Sequence, residues 1–177
     1  MESQAGFDVL WLNGAFGVGK STVAELLRRR LRDAIVVDPE SIGHYLRLTV
    51  PPDAQTQDFQ DMPPWRTITR VVIESIATTY GRPVIVPMTL VAPVYFDEII
   101  GRLRTGGVDV RHVTLRAPRE TILERLAGRA DTTDWSFHQV DRCIEGLDDE
   151  RFAPWIDTGG RSPRDVDDVV LRSHARN

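Results

Sequence analysis

Only one cysteine, Cys143, stands among the 177 residues. A single thiol excludes an internal disulfide and a multi-thiolate zinc site, and it fits a reducing compartment. No apolar run reaches membrane-spanning length. The opening stretch MESQAGFDVLWLNG lacks the basic start and long apolar core of a secretory signal, so a cytoplasmic chain is expected. Neither sign of charge dominates: 22 Lys and Arg against 26 Asp and Glu leave a net charge of −4. That balance argues against broad binding to nucleic acid or an anionic membrane, while allowing a local basic cleft. The four histidines, His44, His112, His138 and His174, show no metal-ligand spacing. Repeats, low-complexity tracts and linkers are also missing. What is present is 41% hydrophobic and 27% charged, the composition of one globular domain over residues 1–177, long enough to bury a core without staples.

Apolar runs alternate with amphipathic stretches. Phe7 to Leu12 reads as a buried strand, followed by a glycine-rich turn and a helix from about Lys20 to Arg32. Val23, Leu26, Leu27 and Leu31 share one face of that helix, and Arg28 to Arg32 mostly take the solvated side. Ala34 to Val37 is a second strand, 39–48 a short helix, and Thr49 to Pro64, with four prolines, a long loop. Trp65 to Tyr80 is helical and stops at Gly81. Val84 to Val86 is a strand ended by Pro87, which has no backbone donor. Pro93 to Thr105 is a helix, Val108 to Leu115 the fourth strand, and Ala117 to Arg129 and Ser136 to Leu147 are helices around a polar break at Ala130 to Asp134. Pro154 to Asp157 is a weak last strand, and Ser162-Pro163-Arg164-Asp165 has the pattern of a helix start. Strands separated by helices imply parallel pairing and a three-layer α/β fold.

The run Gly14-Ala15-Phe16-Gly17-Val18-Gly19-Lys20-Ser21 satisfies G-x-x-x-x-G-K-[ST], with a strand before it and a helix after it. Glycines let successive N–H groups turn inward toward phosphate oxygens. The helix start adds N–H groups and the positive end of its dipole. Lys20 should reach the β- and γ-phosphates and the Ser21 hydroxyl should bind Mg²⁺, with Thr22 the neighbouring candidate. Ligands in such sheets sit beyond the carboxyl ends of the strands. That rule selects Asp38, Met88, Thr89 and Arg116. Asp38 could orient or deprotonate an acceptor hydroxyl, or simply cap the next helix. Arg125 and Arg129, four apart, could stack on a base and neutralise transferring phosphate, or form a solvated face. Arg142 could close over the nucleotide from beyond the break. Arg47 and Arg66 flank the proline-rich loop, where Asp58, Phe59 and Trp65 suit a pocket with an aromatic wall, although Trp65 fits the core equally well. Cys143 falls in a helical stripe and reads as core rather than nucleophile. The third strand ends in Pro87-Met88, without the carboxylate that many such proteins place there for Mg²⁺.

The stretches LNGAFGVGKS, VDPESIGHYLR, DFQDMPPWR, VIVPMTLVAPVYFDEIIGRLR, HVTL and VDRCIEGL resemble the tunicamycin-resistance ATPases of bacteria, over about Val9 to Val170. The family is similar in fold to nucleoside-monophosphate and small-molecule kinases, including chloramphenicol phosphotransferase and shikimate kinase. The resemblance implies a P-loop NTPase fold with five parallel strands ordered 2-3-1-4-5. It also implies a lid between the fourth and fifth strands at about 130–142, a substrate-side segment at about 39–66, and ATP with Mg²⁺ as cofactors. By the same resemblance Asp38 faces the acceptor, Arg125 and Arg129 contact adenine and phosphate, and Thr158 to Ser162 lie beside adenine. The site residues expected are Lys20, Asp38 and Arg129 for catalysis. Gly14 to Thr22, Arg125 and Thr158 are expected to hold the nucleotide. Asp38, Arg47, Trp65, Arg66 and Thr89 are expected on the small-molecule substrate. Three readings follow: a phosphotransferase acting on a hydroxylated molecule such as a nucleoside antibiotic, an ATP-dependent protein that sequesters such a molecule, and a nucleotide-gated interaction protein.

Overall fold

A computed structural model of the protein describes residues 6–130 and 132–174. Met1 to Ala5, from the expected non-secretory start, and Asp131, inside the polar break, lie outside the described residues. Five parallel strands form one sheet in the order β2-β3-β1-β4-β5. They are β1 (Val9–Gly14), β2 (Ile35–Val36), β3 (Val84–Pro87), β4 (Val110–Arg116) and β5 (Trp155–Asp157). Every residue of β1 is buried, because helices cover both faces and leave no solvent side on which polar residues could alternate. β1 lies between β3 and β4, with Val9 opposite both Val84 and Val110. The chain therefore leaves the sheet in opposite directions on either side of β1, and that divergence opens a crevice at its carboxyl end.

One face of the sheet packs on α1 (Lys20–Arg30) and α9 (Pro163–His174), whose Val23, Leu27, Val166 and Val170 meet Leu10, Leu12 and Ile85. The other face carries α3 (Pro63–Tyr80), with Trp65 and Ile73 packed among Val9, Trp11, Val84 and Val86. α2 (Glu40–Thr49) stands between β2 and α3.

Several boundaries differ from the sequence reading. α1 ends at Arg30, where Leu31 turns extended and Asp33 takes a φ of 63°. Arg30 is not a purely solvated arginine: it pairs with buried Asp167 at 2.5 Å and ties α1 to α9. The proline-rich stretch contains two 3₁₀ turns, Pro52–Ala54 and Phe59–Asp61, and α3 begins two residues earlier than expected, since prolines fit a first helical turn. The helix expected over Pro93 to Thr105 is α4 (Pro93–Phe96) and α5 (Arg102–Thr105) joined by a π turn at Asp97–Gly101. β4 starts at Val110 because the Val108 amide bonds back to Leu103 in the preceding turn. α6 (Arg119–Ala127) is followed by α7 (Asp134–His138), which Thr133 caps, and by α8 (Val140–Gly146) beyond Gln139. The expected helix start at Ser162 is a reciprocal cap: Ser162 Oγ and its amide both bond Asp165, whose own amide returns to Ser162 Oγ. No helix among the described residues is long and apolar enough to cross a membrane.

Candidate nucleotide and acceptor site

The loop between β1 and α1 turns on three glycines in left-handed conformations, Gly14 at φ 137°, Gly17 at 79° and Gly19 at 110°. Gly19 opens α1 with no side-chain cap, and the first turn carries no acidic residue. That leaves a helix N-terminus whose dipole and amides are matched to an anion. Lys20 Nζ donates to the carbonyls of Gly14 and Ala15 at 2.9 and 3.0 Å, which holds the ammonium inside the turn of the loop. Burial lowers the Lys20 pKa to about 8; Arg129 acts in the same direction, while Cys143, Glu40 and Asp38 oppose it.

The loop is braced from below by the segment after β3. Asn13 is fully buried; its amide nitrogen donates to Leu90 O, and its Oδ1 accepts from the amides of Gly14 and Leu90. Thr89 Oγ1 donates to Gly14 O at 2.8 Å, and Trp11 Nε1 to Met88 O at 2.9 Å. Thr89 is thus a buried strut under the loop and does not line the cleft. Cys143 also sits buried against the loop, where burial pushes its thiol up, away from nucleophilic thiolate.

Two hollows meet at this loop. The first, about 350 Å³, lies between Gly17 to Val23, the α6 end and the α9 start, with Arg125, Arg129, Thr158, Arg161 and Pro163 around it. Arg125 is fixed there by three bonds: to Val18 O at 3.1 Å, Thr158 Oγ1 at 3.0 Å and Thr158 O at 2.9 Å. The two residues expected beside the nucleotide base are therefore one bonded unit. The second hollow, about 570 Å³, opens from Lys20, Ser21 and Thr22 toward Asp38, Glu40, Arg47, Asp58 and Trp135, with Arg129 shared by both.

Asp38 lines this cleft and also accepts the Glu40 amide at 2.9 Å where α2 begins. Glu40, not singled out in the sequence, lines the cleft beside it. Burial raises the Glu40 pKa, the Asp38 charge adds to it, and Lys20, His44 and Arg129 pull the other way. A carboxyl poised upward and facing a lysine is equipped to take a proton. The D-P-E spacing was the available signal, because Pro39 starts a helix that turns both acids to the same mouth.

Three expected substrate residues stand differently from one another. Arg47 lines the cleft, but its guanidinium bonds Gln57 O at 2.6 Å and Thr56 O at 3.4 Å. Trp65 is wholly buried, donates to Pro39 O at 3.0 Å and backs Phe59 at 5.3 Å; it supports the cleft wall without lining it. Arg66 also stays out of the cleft, bound to Glu98 and Gln60 O at 2.5 Å each and lying over Tyr95. On the side of the polar break, Trp135 stands edge-on to Phe16 at 5.2 Å. Arg142 reaches across to Asp58 at 3.5 Å. The end of β3 offers Pro87 and Met88 to the cleft and no carboxylate.

A glycine loop with its lysine, at the crevice of a 2-3-1-4-5 sheet, defines a P-loop NTPase. The chain belongs to the AAA domain family, whose model matches residues 9–149. Within that class it belongs with the tunicamycin resistance protein of Deinococcus radiodurans, to which it is 30% identical, covering 93% of this chain and 94% of that one, with a TM-score of 0.78. The gluconokinase of Sinorhizobium meliloti shares the fold at 17% identity, with 98% and 93% of the two chains covered and a TM-score of 0.67. So does the Mycobacterium tuberculosis APS kinase, seen in complex with AMPPNP and APS, at 18% identity, 93% and 96% covered and a TM-score of 0.62. No match was found among curated proteins. The family match ends at residue 149, so Thr158, Arg161 and Pro163, which close the first hollow, come from outside it.

Proposed function

We propose that the protein binds MgATP and transfers its γ-phosphoryl group to a hydroxyl of a small molecule held in the larger cleft. The observation that carries this is the pairing across one cleft: Lys20 and Ser21 on the phosphate-loop wall, Asp38 and Glu40 on the other. Lys20 and the loop amides hold the polyphosphate, and Arg129, shared by both hollows, lies where transferring charge passes. Ser21 and Asp38 are an oxygen donor set of the kind Mg²⁺ accepts, with Thr22 beside them and water completing the shell. When bound, Mg²⁺ neutralises phosphate charge. In the step itself the acceptor oxygen forms a bond to the γ-phosphorus, the bond to the β-bridging oxygen breaks, and ADP leaves. The hydroxyl proton passes to Glu40 or Asp38, which first align that hydroxyl. Arg125, clamped to Val18 and Thr158, offers its flat guanidinium face to the adenine.

The whole chain then works as one kinase-like unit in the cytoplasm, with a lid at about 130–142 and an acceptor segment at about 39–66. Likeness to a tunicamycin resistance protein makes a nucleoside antibiotic the first acceptor to try, with resistance as the outcome. The test incubates the purified chain with MgATP and tunicamycin and reads products by mass spectrometry. A mass gain of one phosphoryl group is expected. Turnover should fall about 100-fold or more in Asp38→Asn and in Glu40→Gln, the usual scale for removing a general base. No phosphorylated product from tunicamycin or any hydroxylated acceptor overturns the transfer step.

A second reading, ATP-dependent sequestration without transfer, is favoured by the missing carboxylate at the end of β3. Protection would then saturate at about one drug molecule per protein, since one cleft holds one ligand. Protection well beyond that ratio rules it out.

Arg125→Lys should weaken ATP and ADP binding equally, by about tenfold, because an ammonium keeps the charge but cannot span Val18 O and both Thr158 oxygens. Calorimetric titration with each nucleotide checks this, and a loss confined to ATP would place Arg125 at the γ-phosphate instead.

A further inference from the structure

Gluconate and adenosine phosphosulfate, the acceptors for which two of the fold relatives are named, are anions. An acceptor wall that holds a carboxylate or sulfate needs cationic donors aimed into the cleft. Here the wall opposite the phosphate loop has the reverse character. Asp38, Glu40 and Asp58 line it, with Arg47 and His44 the basic residues among them. Three arginines on that side make their bonds within the protein, which fixes where their guanidinium groups point. Arg47 bonds the carbonyls of Thr56 and Gln57, Arg66 bonds Glu98 and Gln60 O, and Arg142 bonds Gln139 and Asp58. The remaining cations of the cleft, Lys20 and Arg129, stand at the phosphate loop and the nucleotide hollow.

We propose that the acceptor cleft selects molecules carrying no negative charge, neutral or aminated polyols rather than acids, and that Asp58 contributes to the selection. The inference rests on reading this cleft as the acceptor side of a nucleotide site. An anionic acceptor would have to approach Asp38 and Glu40 while already facing the γ-phosphate, and like charges brought together at short range oppose binding. A hydroxyl or ammonium finds acceptors on those same carboxylates. Asp58 is held in place by accepting the Gln60 amide at 3.0 Å, and an asparagine can keep that bond.

The test uses ATP esterified at the γ-phosphate with a short alkyl tail ending in hydroxyl, ammonium or carboxylate. The nucleotide part anchors every probe in the same loop, and only the tail samples the wall. Binding to the full chain with Mg²⁺ is read by calorimetry and referred to unmodified ATP on the same protein. The hydroxyl and ammonium tails should bind about tenfold or more tighter than the carboxylate tail. The difference should shrink as salt rises. In Asp58→Asn, which also releases Arg142 from its carboxylate partner, the ratio should fall about threefold. A carboxylate tail that binds equally well or better overturns the proposal, and a ratio unchanged in Asp58→Asn overturns the role of Asp58. If unmodified ATP fails to bind, the nucleotide reading and this proposal fall together. If the tails sort as expected while no acceptor is ever phosphorylated, charge selection stands and phosphoryl transfer falls.

Discussion

Lys20→Ala should raise the dissociation constant for MgATP by about 100-fold or more, the scale expected on losing a charge-assisted contact to phosphate inside a partly buried site. The ammonium sits within the loop, bonded to Gly14 and Ala15 carbonyls, so no neighbouring side chain can replace it. Its pKa, lowered to about 8 by burial, adds a pH signature. Polyphosphate binding places negative charge beside the ammonium and raises that pKa, so binding takes up a proton near pH 8 and above. Affinity should be flat below about pH 8 and fall above it, approaching tenfold per pH unit for one proton. Stability of the nucleotide-free protein runs the opposite way. The unfolded lysine, at its ordinary value of 10.5, binds more protons than the folded one between about pH 8 and 10.5, so stability rises with pH across that window. In Lys20→Ala both limbs should flatten. Calorimetry in buffers of different ionisation heat checks the proton uptake. An affinity that ignores pH up to 10 would show that the ammonium does not meet the nucleotide.

Gly14→Ala should cost about 4 kcal/mol of folding stability, combining a φ of 137° that only glycine adopts easily with a clash that cannot relax. A Cβ there would stand 2.6 Å from Leu115 O and 2.8 Å from Val18 Cγ1. The first is backbone of the neighbouring strand, so β1 or β4 must move. At this chain length the melting temperature should fall by roughly 10 °C. Gly19→Ala is the control: a Cβ at Gly19 meets nothing within 4 Å, and only its φ of 110° is penalised. Its loss in thermal unfolding should be clearly smaller. Equal losses would mean that backbone conformation alone, and not the contact with β4, accounts for Gly14.

Features legible in the sequence were those encoded locally. The phosphate loop, the buried first strand and the amphipathic α1 follow from a motif and its flanking periodicities within residues 7–32. The Gly81 helix stop, with its φ of 58°, and the Ser162–Asp165 cap were equally local, because turn and cap chemistry act over a few residues. Strand order came from resemblance rather than from any property of the strands themselves.

Tertiary structure alone decided which polar residues face the cleft. Thr89 and Trp65 were expected on the substrate, yet the polar groups of both turn inward, because Gly14 O and Pro39 O, distant in the chain, need donors once buried. Arg66 is drawn away by Glu98 on the π turn, a partner 32 positions further along. The Asp38-Pro39-Glu40 spacing pointed at Glu40, but it is the packing of α2 that turns it into the cleft with Lys20. Periodicity and motif fix what neighbours along the chain must do; burial, acting between remote segments, chooses which of their side chains reach the chemistry.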